Sequence, residues 1–100
     1  MRETLMASMG PIEFSDLRPH LARDSVIVVD RSLDLLDVGE AVARDDKERV
    51  SAWVAAGLLV KPSLEQLERW SKTLGPAWTV LVVQPFVLLQ EGLRPSQSSN

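Results

Sequence analysis

Four carboxylates crowd the stretch DRSLDLLDVGE: Asp30, Asp34, Asp37 and Glu40. Oxygen ligands at such density suit a hard cation such as Mg²⁺, which makes Asp34, Asp37 and Glu40 candidate metal ligands. Asp37 and Glu40 are three apart and share one face of a helix. Asp30 ends an apolar run, and ligands in open α/β sheets bind beyond the carboxyl ends of strands. Local roles explain most of the same residues without a metal. Asp34 suits a helix cap, Asp37 favours a helix N-terminus, and Glu40 can pair with Arg44. That plainer reading is preferred.

His20 is the sole histidine, and Arg23 follows three residues later on the same helical face. Asp16, one turn earlier, could orient the ring, and a histidine so held can act as a general base. His20, Arg23 and Asp30 therefore form a candidate ligand-binding or enzymatic set, which works only if all three converge on one cleft. No nucleophile motif or second histidine accompanies them. The glycine-containing segments GLRPS and GPAW do not have the pattern of a phosphate loop. No catalytic residue and no cofactor are assigned, and a non-enzymatic role is expected.

The chain has 100 residues, 45% of them hydrophobic and 25% charged. That is an ordinary globular composition at the modal size of one domain. It contains no cysteine, so disulfides, zinc–thiolate sites and cysteine nucleophiles are excluded; a reducing, cytoplasmic setting fits. The opening MRETLMASMG is too short in apolar residues for a signal peptide, and no run is long enough for a membrane helix. Net charge is −3 and uneven: residues 1–50 carry seven basic side chains against eleven acidic. An acidic chain has little with which to hold phosphate backbones, so nucleic acid is not an expected partner.

These residues must be positioned by an alternation of helices and strands. A short helix is expected over 2–9. A second, over about 16–23, would be capped by Ser15 or Asp16, with Pro19 in its first turn. VIVVD, residues 26–30, is a β-branched run without alternation, hence a strand covered on both faces. Leu35, Val38 and Val42 then repeat at helical spacing behind Asp34, and Gly39 weakens that helix a little. Asp45–Asp46 separate it from a helix carrying Val50, Trp53, Val54 and Gly57 on one stripe, with Gly57 ending it. LLVK is a short strand. Ser63 caps a further helix whose apolar face is Leu64, Leu67, Trp70 and Leu74; Gly75–Pro76 stop it. Trp53, Trp70 and Trp78, spread over three elements, suit core anchors better than a base-stacking platform. Residues 35–61 also fit a helix-turn-helix followed by a strand, with Lys47, Arg49 and Ser51 on the outward face of its second helix.

TVLVVQPFVLLQ, residues 79–90, is the strongest local signal. Two-residue hairpin turns usually require positive φ and Asn-Gly-like pairs, so Gln84–Pro85 argues against a hairpin. A bent strand is expected instead, central over Val80–Val83 and at a sheet edge over Phe86–Leu89; a short helix over 85–92 is the second option. An exposed apolar edge invites another chain. Pro85, Phe86, Leu88 and Gln90 are therefore candidate interface residues, and a homodimer is expected. The tail over 94–100 is polar and expected to be disordered.

The stretches FSDLRPHLARDSVIVVD, LDLLDVGEAVARDD, VSAWVAAGLLVKP and VVQPFVLLQ are distinctive together and weak singly. In them the chain resembles a small bacterial family of uncharacterised proteins, a domain of unknown function of the 2288 type, over roughly residues 13–91. Phe14 and Phe86 stand where the family pattern has an aromatic. The resemblance implies bacterial origin and supplies no catalytic residue. The resulting expectation is an α/β or α+β domain over 1–93, three or four short strands packed with four or five helices, acting as a non-catalytic, self-associating cytoplasmic module. A small ligand binder or enzyme using His20, Arg23 and Asp30 is the alternative, and a DNA-binding helix-turn-helix the third reading.

Overall fold

The computed structural model describes residues 2–75 and 77–91. The tail expected over 94–100 lies outside the described residues, as does Pro76. The elements run α1 (Arg2–Ala7), β1 (Met9–Ile12), α2 (Phe14–Ala22), β2 (Val26–Val29), α3 (Leu35–Ala43), α4 (Lys47–Ala55), β3 (Leu59–Val60), α5 (Leu64–Ser71), β4 (Trp78–Val83) and β5 (Phe86–Glu91). The strands form one sheet in the order β1-β4-β5-β2-β3. Only the β2–β5 pair is parallel. This is the expected α+β class with one strand more than expected. No helix among the described residues is long and apolar enough to cross a membrane.

Side-chain alternation along the strands builds two cores. On one face Val29, Leu81, Val83 and Leu88 meet Leu5 of α1 and Leu35, Leu36 and Val38 of α3. On the other, Val26, Val28, Val80, Val87 and Leu89 meet Leu17 of α2 and Trp70 of α5. Burial of both faces explains why β2 and β5 read as continuous apolar runs. Trp70 and Trp78 pack edge to face at 5.5 Å between centroids and are both buried. Their anchoring role follows from this geometry.

The caps follow local chemistry. Asp34 accepts a hydrogen bond from the Leu36 amide at the head of α3, and Ser63 with Gln66 forms a reciprocal capping box on α5. Gly57, with φ of +76°, closes the segment after α4 in the left-handed region that glycine adopts freely.

Several expectations are corrected. β1 is an unexpected strand, because Gly10 and Pro11 spoil its propensity; it lies at the sheet edge, where a missing proline N–H costs no ladder bond. α2 starts at Phe14 behind Glu13, which makes no side-chain cap, and Pro19 falls beyond its first turn. On α5 only Trp70 is buried. Leu64 is 85% exposed, and Leu74, beyond the helix end, is 95% exposed.

The largest correction concerns residues 79–90. They form a β4–β5 hairpin in which Val83 pairs with Phe86. Gln84 and Pro85, joined by a cis peptide bond, fill the two turn positions. A turn with cis-proline in its third place closes without positive φ, an option that a search for Asn-Gly-like pairs overlooks. β5 then lies between β4 and β2, at the centre of the sheet and not at its edge. The alternative helix over 85–92 is likewise displaced by a strand over Phe86–Glu91; residue 92 lies outside the described residues.

Candidate functional sites

The first site is an apolar groove. α3 lies against the sheet and turns sharply through residues 44–46 into α4, with Asp45 at φ of 59°. α4 buries no side chain completely and leaves a trough between itself and the ends of β2, β3 and β5. Ile27, Leu59 and Leu88 supply its floor, and Val50, Val54, Val60 and Phe86 its walls, around about 530 Å³. Five large apolar side chains are exposed among the described residues; three of them, Val54 (55%), Val60 (44%) and Phe86 (40%), line this groove. Its polar rim holds Asp45 and Asp46 together with Lys47 and Lys61.

Of the interface candidates, Phe86 therefore stands in an exposed apolar wall, and Pro85 lies in the adjoining exposed turn. Leu88 is only 1% exposed and belongs to the core. Gln90 serves the fold: its amide donates to the carbonyls of Asp30 (3.0 Å) and Leu33 (2.8 Å), tying down the 30–33 loop. Both corrections follow from the central position of β5.

The second site is a cleft between the end of α2 and the β4–β5 turn, lined by His20, Arg23, Ser25, Val82, Gln84, Pro85, Phe86 and Val87 around about 350 Å³. Arg23 donates to His20 Nδ1 at 2.9 Å. Arg23, not Asp16, makes the ring contact. The Ser25 hydroxyl donates to the His20 carbonyl at 3.1 Å. The Ser25 carbonyl accepts from the Val87 amide at 2.9 Å, which fixes the α2 end to β5.

Asp30 does not join this cleft. It follows the opposite end of β2, roughly 16 Å from Ser25 at the rise of an extended strand. There its carboxylate accepts from the Ser32 amide at 2.9 Å, and the hydroxyl and amide of Ser32 hold its carboxyl below the usual value against a small opposing effect of desolvation. The set of His20, Arg23 and Asp30 thus divides between the two ends of the sheet. Asp34, Asp37 and Glu40 do not assemble into a metal site either. Among the described residues no group of three or more His, Cys, Asp or Glu side chains is placed to hold a metal ion. Asp34 is engaged as the α3 cap.

α3 and α4 are consecutive helices joined by a short turn, but β3 pairs with β2 as the edge strand of the sheet and does not project as a wing. Arg49 on the outer face of α4 lies over the Trp53 ring at 4.9 Å, and Asp45, Asp46 and Glu48 surround the helix entry. A family model for a protein of unknown function, DUF2288, matches residues 1–91. The chain belongs to this family. Among solved structures, the NMR solution structure of PA1075 from Pseudomonas aeruginosa is similar, with a TM-score of 0.76 and 31% identity over 96% of this chain and 87% of that one. No curated protein matches. Phe86, His20 and Arg23 are accessible to sequence reasoning. Val60 as a surface residue is not, and helical spacing puts Val54 on the packed stripe of α4; a valine flanked by Trp53 and alanines gives no sign of exposure.

Proposed function

We propose that this protein is a non-catalytic interaction module that self-associates through the groove between α4 and the β3–β5 side of the sheet. The observation that carries this is the convergence of Val54, Val60 and Phe86, all exposed, on one trough. Scattered apolar residues are normal on a surface; a contiguous patch with a polar rim marks a contact site. A second copy is the occupant favoured by charge. An isologous interface sets one patch against itself, so its rim must carry both signs, and Asp45 and Asp46 with Lys47 and Lys61 supply them. The homodimer expected from the sequence is kept in this reading, but its contact moves from backbone pairing at an edge to side-chain packing over α4. The cysteine-free composition supports a reducing cytoplasm as its setting.

Sedimentation equilibrium of the wild type and Val54→Glu tests the proposal. Val54 is exposed on a helix, where glutamate is a good helix former, so the variant keeps its fold. The wild type should be dimeric at high micromolar concentration and V54E monomeric. A wild type that stays monomeric there, or a V54E dimer of equal strength, would refute the proposal.

A further inference from the structure

The cleft at the end of α2 meets the groove at Phe86, which lines both, but has a different chemistry. We propose that it binds a small carboxylate ligand with a short apolar body, held by Arg23 and His20. The guanidinium of arginine has donors only. Its 2.9 Å contact with His20 Nδ1 therefore makes Nδ1 the acceptor and puts the ring proton on Nε2. The pair presents an imidazole N–H and the remaining guanidinium N–H groups, donors with no acceptor among them. Arg23 has no carboxylate partner among the described residues; its neighbour Asp24 is bound to Lys61 at 2.6 Å. Asp16, one turn back on α2, does not line the cleft.

The end of a helix normally disfavours an anion, because its last carbonyls carry partial negative charge. Here three of the last four are engaged. Pro19 accepts from the Arg23 amide, Leu21 from Asp24, and His20 from both the amide and the hydroxyl of Ser25. What faces the cleft is the Arg23–His20 donor pair. Val82 and Val87, register partners on β4 and β5, give the cleft an apolar floor, and Gln84 adds an amide at its mouth. A volume of about 350 Å³ is at the small end of ligand sites. Donors on one wall and valines beneath select a carboxylate joined to a few carbons over a bare inorganic anion.

Titration of the ¹⁵N-labelled full chain with butyrate, acetate and inorganic phosphate tests this, read from the amides of His20, Arg23, Gln84 and Val87 and from the Arg23 side chain. Butyrate should shift these signals saturably, with acetate weaker and phosphate weaker still. Arg23→Gln, at an exposed position, should bind butyrate about tenfold or more weakly, the effect of losing a charged hydrogen-bonding partner, while its other signals stay in place. Arg23→Lys, which keeps the charge, should recover part of the loss. The inference is overturned if butyrate gives no saturable shift, if R23Q responds like the wild type, or if phosphate binds as well as butyrate.

Discussion

Gly39 lies in the middle of α3, where a glycine is expected to weaken the helix. The structure gives the reason for its presence. A Cβ built on Gly39 would come 2.4 Å from Leu81 Cδ2 and 3.5 Å from Leu81 Cγ. Leu81 is fully buried on β4 among Leu5, Val29, Leu35 and Leu88, so its δ-methyl has little free space to enter. Gly39→Ala sets two effects against each other. Helix propensity favours alanine by about 1 kcal/mol, and overpacking a filled core costs about 1–3 kcal/mol. The clash wins, and G39A should be destabilised by about 1 kcal/mol, a fall in Tm of about 4–8 °C for a domain this small. Leu81→Val removes the δ-methyls, so that the nearest remaining position is that of Cγ, an ordinary contact. In the L81V background the same G39A change should stabilise by up to about 1 kcal/mol, because propensity then acts unopposed. Urea denaturation of the four proteins of this cycle gives the coupling directly, expected near about 2 kcal/mol and within the range of touching residues. If G39A stabilises both backgrounds equally, Leu81 yields freely and the packing argument is wrong.

Glu91 accepts from the buried Trp70 indole at 2.8 Å and from Arg69 at 3.0 Å. Glu91→Ala leaves the indole N–H unpaired and should cost about 1–3 kcal/mol. Glu91→Gln keeps an acceptor, loses only a solvent-screened ion pair, and should cost less than about 1 kcal/mol in the same denaturation assay. Asp30 titrates below its ordinary value of 3.8 in the folded chain, chiefly through the Ser32 hydroxyl and then the Ser32 amide. Folding therefore favours its ionised form. That contribution is complete above 3.8 and is lost as pH falls through the lowered native value. Denaturation midpoints of Asp30→Asn should fall less steeply than those of the wild type across that acid range; parallel curves would contradict the assignment.

What is legible in the sequence is local. Asp34, Ser63 and Gly57 mark helix ends by side-chain chemistry or backbone freedom, and VIVV declares a strand covered on both faces. What stays concealed is long-range or conformational. Gly10 and Pro11 hide an edge strand because propensity scales describe interior strands. The cis Gln84–Pro85 turn uses a geometry that the residue pair alone does not announce. Without that turn, β5 is assigned to an edge, and Leu88 and Gln90 to a partner. The hairpin instead buries Leu88 and turns Gln90 inward to the 30–33 loop. His20 and Arg23 can be paired from helical spacing. Their separation from Asp30 requires the direction of β2, which no local pattern carries. The groove is hidden for a related reason: exposure of Val54 and Val60 depends on where α4 leaves the sheet, not on their neighbours in sequence.

Self-association through the α4 groove is decided by ¹⁵N HSQC spectra of the wild type recorded from low to high micromolar concentration. Concentration-dependent shifts are expected at Val54, Val60, Lys61 and Phe86, with Thr4, Glu68 and Thr73 on other surfaces unmoved. Spectra that superimpose throughout, or shifts centred on those other surfaces, would rule it out.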